Sequence, residues 1–272
     1  MDNMYYIFDA LNWYPGFFSS YLSVIGFLNH CEEVKPLGYN IFFEDGLYFD
    51  KNVGLNWWEY YFEPIISGHD KIVESTQIDH PGDSMKSKWA EDAMSTISRE
   101  QASELINKYI KVKPHIQLKI DDFVNKHFTN KYVIGVHFRG TDKSSEAPRV
   151  CYDNVKDEIL KQISALEHQN YVVFIATDET LFINYMKQIM KDKIVYIEAN
   201  RSTKHDPIHH SCGNKVENRY QNGEEAVIDC YLLSKTNILL RTHSCLSTAS
   251  ANINPKLKVI NLNHRYFKQE LR

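Results

Sequence analysis

The run YVIGVHFRGTDKSSE, residues 132–146, gathers six side chains able to do chemistry: His137, Arg139, Thr141, Asp142, Lys143 and Glu146. A guanidinium stays charged at any working pH and can fork onto two phosphate oxygens, which makes Arg139 a candidate anion ligand. Lys143 lies three residues from Glu146, close enough to orient a carboxylate and keep it ionised, the condition for a general base. Charge alone leaves a second reading open, a solvated loop with a local ion pair worth under about 1 kcal/mol. The element that must position these groups precedes them. Tyr132, Val133, Ile134, Gly135 and Val136 form an apolar, partly β-branched run of the length of a buried parallel strand. Open α/β sheets bind ligands beyond the carboxyl ends of their strands, and the polar cluster stands at that end.

Three further positions are placed in the same way. Asp178 follows the apolar run YVVFIAT, where it either joins the same crevice or caps the next helix. Asp229 lies in the apolar stretch AVIDCYLLS, where an acid is costly unless paired; the alternative is a helix-surface residue. Ser244 and Ser247 lie in RTHSCLS, a strand-to-helix turn whose exposed amides and hydroxyls make an anion site or simply a helix cap.

HFRGTDKSSEA resembles the HxRRTDKxxxEA motif of the α1,6-fucosyltransferases and their bacterial nodulation relatives. IATDE is similar to the ATDD segment of that family, and AVIDCYLLSKTNILLRTHS to its xxxDIHLLSxxDxLVxTxSS segment. The resemblance spans roughly residues 132–262, and the amino-terminal half matches only in outline. It implies a GT-B-like α/β fold, two Rossmann-like domains facing across a cleft, with a doubly wound parallel sheet in the carboxyl-terminal one. It further implies metal-independent, inverting transfer of fucose from GDP-fucose to a glycan hydroxyl, with no cofactor beyond the donor. On that reading Arg139 balances charge on the leaving diphosphate, and Glu146, oriented by Lys143, takes the acceptor proton. His137, Asp142 and Asp178 border the donor, Asp229 holds guanine, and Ser244 with Ser247 meets the diphosphate. Gly16, Phe17 and Glu59 are candidate acceptor or loop contacts. Two departures stand out: Gly140 replaces a second arginine, and the spacing to Glu146 is one residue shorter. Gly140 and the sparse glycine loop around Gly16 keep one alternative in play, a non-catalytic nucleotide-sugar or glycan-binding protein; a second, a transferase using a different GDP-hexose, stays open because nothing in the sequence reads the sugar's C6.

Composition narrows the class. The chain has 272 residues, 31 Lys and Arg against 35 acids, and a net charge of −4, without the basic excess of a nucleic-acid binder. Its five cysteines (Cys31, Cys151, Cys212, Cys230, Cys245) form no CxxC pair, so neither a zinc site nor a disulfide framework is indicated. His205, His209 and His210 lack a recognised ligand spacing. No signal peptide or membrane anchor is expected, which points to a cytoplasmic bacterial or viral enzyme.

In chain order, Met4–Phe8 reads as a strand, a turn around Gly16 leads to a helix through Asn29, and 38–45 reads as a second strand. The aromatic run 46–62 is core or a sugar-stacking platform, and 67–92 reads as irregular. Ser98-Arg99-Glu100-Gln101 fits a helix-opening capping box, and a second helix covers 116–127. A domain boundary is expected near 128–131, dividing the chain into an acceptor-side domain (1–129) and a GDP-binding domain (130–272). Beyond it, strands at 132–136, 171–176, 193–198, 237–241 and 257–262 alternate with helices, the pattern of a parallel sheet.

Overall fold

Alternating aromatic and apolar residues make Met4–Asp9 the central strand, β1, of the first half, with Tyr5 and Phe8 fully buried. The computed structural model describes residues 4–9, 14–68, 77–141, 149–166, 170–203 and 218–263. The chain divides into two compact units, Met1–Gln117 with Lys215–Ala226, and Leu118–Asn214 with Val227–Arg272.

In the first unit β1 is followed by α1 (Phe17–Val34), β2 (Gly38–Phe42), a 3-10 turn at Trp57–Tyr60, β3 (Ile66–Ser67), β4 (Gln77–Asp79), α2 (Asp83–Ser95) and α3 (Arg99–Tyr109). The sheet order is β3-β2-β1-β4, parallel between β1 and both β2 and β4, antiparallel between β2 and β3. Strand order therefore reverses between β1 and β4.

Helix α1 is apolar nearly all round, as a helix enclosed on several sides must be, with Phe18, Tyr21, Leu22, Ile25 and Leu28 buried. It packs closely on α2: a Cβ added at Gly26 would lie 2.3 Å from the Trp89 carbonyl oxygen. The Ser23 hydroxyl donates to the Lys86 carbonyl at 2.8 Å. The expectation of irregular structure over 67–92 is corrected here, since β4 lies within it and α2 begins in it. The cause is Lys86. The buried face of α2 is Lys86, Trp89, Ala90 and Ala93, the i, i+3, i+4, i+7 stripe of an amphipathic helix with a charged residue in its first place. The aromatic run is core: the Phe17 ring centroid lies 5.1 Å from Tyr48, 5.4 Å from Trp57 and 5.1 Å from Tyr61. Ser98 caps α3 by accepting from the Gln101 amide at 3.1 Å.

The second unit contains most of α4 (Pro114–His127), then β5 (Tyr132–Phe138), α5 (Tyr152–Ser164), β6 (Tyr171–Thr177), α6 (Thr180–Met190), β7 (Ile194–Val195), the second part of α7 (Arg219–Ser234), β8 (Ile238–Arg241), α8 (Cys245–Ile253) and β9 (Lys258–Asn261). The division at 117/118 precedes the expected 128–131 cut because α4 belongs with the second sheet. Phe123 and Phe128 both pack on Phe174 of β6, at 5.5 and 5.6 Å. The sheet is wholly parallel, in the order β7-β6-β5-β8-β9. Val155 and Ile159 of α5 and Phe182 of α6 close its core over Ile134, Val136 and Phe138, and the Phe138 and Phe182 rings stack at 4.4 Å. β7 is shorter than the 193–198 expectation: only Ile194 and Val195 pair with β6.

The first part of α7 belongs to the first unit. There Tyr220 stacks on Tyr61 at 5.6 Å, and a Cβ at Gly223 would meet the Tyr61 hydroxyl at 2.2 Å. Among the described residues no helix is long and apolar enough to cross a membrane.

Candidate functional site

β5 has β6 on one side and β8 on the other, so strand order reverses between β5 and β8, and a ligand crevice is expected outside their carboxyl ends. The register places His137 opposite Arg241. Two hydrogen bonds join the strand ends: the Thr242 amide donates to the His137 carbonyl at 3.0 Å, and the Arg139 amide donates to the Thr242 hydroxyl at 2.8 Å.

Asp178, at the end of β6, fixes the Arg139 side chain. Arg139 Nε lies 3.0 Å from Asp178 Oδ2, and the same carboxylate accepts from the Gly140 amide at 3.1 Å and the Thr141 hydroxyl at 2.6 Å. Asp178 thus joins the crevice rather than capping α6, whose capping position is Glu179.

On the β8 side, Ser244 caps α8, its Oγ accepting from the Leu246 amide at 3.2 Å. Arg241 Nη1 donates to the Thr248 hydroxyl in the first turn of α8, at 2.7 Å. A helix amino terminus carries roughly half a positive charge, so Arg241 and that terminus bring positive charge to the reversal, where the charge of Arg139 is balanced by Asp178. Ser247 is fully buried, and its hydroxyl donates to the Thr242 and Ser244 carbonyls at 3.3 and 3.1 Å; it serves the turn itself. His137 is buried, and burial first, then the charges of Arg139 and Arg241, push its pKa down to about 3. It is therefore neutral, able to hydrogen-bond without adding charge. Its Nδ1 has no hydrogen-bond partner among the described residues. Asp229 is buried on α7 and not a surface residue.

Around Gly140 the structure shows a network that the sequence did not announce. Glu179 is 1% exposed and accepts from Arg149 Nη2 at 2.9 Å and from the Tyr152 hydroxyl at 2.5 Å. Burial, then the Glu179 carboxylate, raises the Tyr152 phenol. Arg149 Nη1 also donates to the Gly140 carbonyl at 2.5 Å. A Cβ at 140 would lie 2.3 Å from Glu179 Oε1, so the glycine makes room for the carboxylate. The one available signal was a glycine directly after Arg139 at a strand end, since such glycines often mark close approach of another group.

Asp142, Lys143 and Glu146, and the histidines 205, 209 and 210, lie outside the described residues. Of the candidate acceptor contacts, Gly16 begins α1 with open space where a side chain would stand. Phe17 is buried among the rings of Tyr48, Trp57 and Tyr61, which corrects its expected role as a ligand or loop contact. The Glu59 carboxylate accepts from Asn56 Nδ2 at 2.8 Å, bracing the 3-10 turn. Among the described residues no group of three or more His, Cys, Asp or Glu is placed to hold a metal ion.

Fold and site together define a GT-B-type α/β protein with a cluster of charged and polar side chains at the strand-order reversal of its second unit. The family model for nodulation protein Z (NodZ) matches residues 83–263, and the chain belongs to that family. Nodulation protein Z of Bradyrhizobium diazoefficiens is 27% identical over 153 residues, which cover 52% of this chain but only 39% of that relative. The structure of NodZ α-1,6-fucosyltransferase soaked with GDP-fucose aligns at a TM-score of 0.66 and 17% identity, over 96% of this chain and 95% of that one. POFUT1 in complex with GDP aligns at 0.54 and 10%, over 94% and 98%.

Proposed function

We propose that the protein is an inverting glycosyltransferase that moves fucose from GDP-fucose to a glycan hydroxyl without a metal ion. The observation that carries this reading is the placement of Arg139, aligned by Asp178, beside Arg241 and the amino terminus of α8 at the strand-order reversal. Membership of the NodZ family and the likeness to structures holding GDP or GDP-fucose support it. The diphosphate of the donor gains negative charge as the glycosidic bond breaks. Fixed positive groups aimed at that charge stabilise the transition state more than the ground state. Neutral His137 lies beneath these groups, and Asp142 borders the donor. Glu146, oriented by Lys143, takes the proton from the acceptor hydroxyl as it attacks the face opposite the diphosphate. Asp229 takes guanine, and Ser244 the diphosphate.

The test is a thermal-shift panel of GDP, UDP, ADP and GDP-fucose on wild type and Arg139→Ala. A ligand at about 100 times its dissociation constant adds roughly 2.7 kcal/mol, a shift of several degrees in a chain of this size. A GDP-selective shift in wild type, lost in Arg139→Ala, is expected; absence of any nucleotide shift would overturn the reading. Glu146→Gln should keep the GDP shift while stopping transfer. Gly140, standing where the resembling family has a second arginine, removes a donor contact and favours a second reading, a GDP-sugar binder without catalysis. A GDP shift with neither transfer nor donor hydrolysis in wild type selects it.

A further inference from the structure

The first sheet has its own reversal of strand order, between β1 and β4, and three ionisable side chains meet there. Asp9 ends β1 and is 7% exposed. Its Oδ1 accepts from the ammonium of Lys86, itself only 2% exposed, at 2.9 Å. Its Oδ2 lies 2.6 Å from Nδ1 of His80, the residue just after β4, whose side chain is 55% exposed. Burial acts to raise the Asp9 pKa, but hydrogen bonds from His80 and Lys86 outweigh it and hold the group below the usual carboxylate value. A carboxylate can only accept, so His80 must donate from Nδ1, and in the neutral imidazole Nε2 is then left as the acceptor. A buried aspartate has thus set the tautomer of a half-exposed histidine at the place where sheets of this type take ligands.

The surroundings select the ligand. Glu44, two residues past β2, has a buried Oε2 without a hydrogen-bond partner among the described residues. Burial raises its pKa, with Asp9 and Asp45 adding to the effect and Lys86 opposing it. Asp45 accepts from the hydroxyl of Tyr14, an exposed aromatic, at 2.7 Å, and Asp83 lies 4.0 Å from Lys86. Four carboxylates against one lysine repel phosphates and other anions. The lysine already occupies the position a metal ion would take on Asp9. What fits is a neutral molecule rich in hydroxyls, with donors for the carboxylates and a face for an aromatic ring.

We propose that the carboxyl ends of β1 and β4 form a sugar-binding site in which His80, aligned by Asp9, accepts a hydrogen bond through Nε2 from a hydroxyl of the glycan acceptor. Its assignment as the acceptor site rests on the transferase reading above; its affinity for sugar hydroxyls does not. The tests separate the two. In histidine-labelled protein, the ring nitrogens of His80, assigned by difference from His80→Gln, should show the Nδ1–H tautomer. They should also shift on titration with a panel of methyl hexosides and methyl N-acetylhexosaminides. The opposite tautomer, or no shift with any member while GDP still stabilises the protein, overturns the site and leaves the transferase reading intact. In transfer assays with the best member, loss of one neutral hydrogen bond should raise the acceptor KM about 3- to 10-fold in His80→Gln, with donor KM and the GDP-induced thermal shift unchanged. An unchanged acceptor KM also overturns it. Loss of the GDP shift in wild type would instead count against the transferase reading.

Discussion

At the scale of single residues, the crevice of the second unit is set by which charges are balanced and which are kept neutral. His137 is held neutral in the folded chain, at a pKa of about 3, whereas an unfolded histidine titrates near 6.5. Between these values the unfolded chain binds the extra proton, so stability rises with pH across that window. The contribution of His137 is fully present above about pH 6.5 and lost as pH falls toward 3. Urea unfolding of wild type and His137→Gln across the acid range should show this slope in wild type and a shallower one in the variant. Gly140 answers to Glu179. Gly140→Ala places a methyl 2.3 Å from a buried carboxylate oxygen and should destabilise by about 1–3 kcal/mol. In a Glu179→Ala background the added cost should fall, since the two sites are in contact. Part of the geometry was legible in advance: the strand ends alone put Arg139 and Asp178 in one crevice, and Ser244 at a strand-to-helix turn. Glu179, Arg149 and Tyr152 were not, because a buried acid paired with an arginine thirty positions away leaves no local pattern. Phe17 was misread for a different reason: a residue beside a glycine turn at a helix start can point inward as well as out.

At the scale of elements, long apolar runs gave away β5, β6 and β8, and the stripe of Val155, Ile159, Ile163 and Leu166 gave away α5. α2 stayed hidden because the residue opening its buried stripe is Lys86, and a charged residue reads as solvent-facing until its partner, Asp9, is known to lie 77 positions away. Packing overrides local preference again at Gly26. In an exposed helix, replacing glycine by alanine gains up to about 1 kcal/mol. Here the new Cβ would lie 2.3 Å from a backbone oxygen of α2. Gly26→Ala should therefore destabilise the protein, by about 1–3 kcal/mol, read as a fall in the urea midpoint at an unchanged m-value.

At the scale of the whole molecule, neither unit is one continuous stretch of chain. The first takes residues 215–226, which follow β7 in the chain, and the division falls inside α7. In the sequence, 199–222 is polar and aperiodic and only 224–234 reads as helix, so nothing there marks the handover and a single cut near 128–131 is expected. A fragment of residues 1–129 lacks Tyr220, which stacks on Tyr61, and Arg219, which donates to the Phe49 carbonyl at 2.9 Å. Expressed alone, it should show a broad, non-cooperative melt by circular dichroism, where the full chain melts sharply. A sharp, independent transition would show that the 215–226 segment is dispensable to the first unit.

The same feature bears on how the protein is born. Ribosomes add about 5–20 residues per second, and roughly a hundred residues separate Gln117 from the segment that completes the first unit. On the order of ten seconds therefore pass in which Tyr61 and its aromatic neighbours have emerged while Tyr220 is still untranslated. During that interval the face of Tyr61 that Tyr220 later stacks on lacks its partner, and a chaperone that recognises aromatic surfaces would find its target there, in the half of the protein made first.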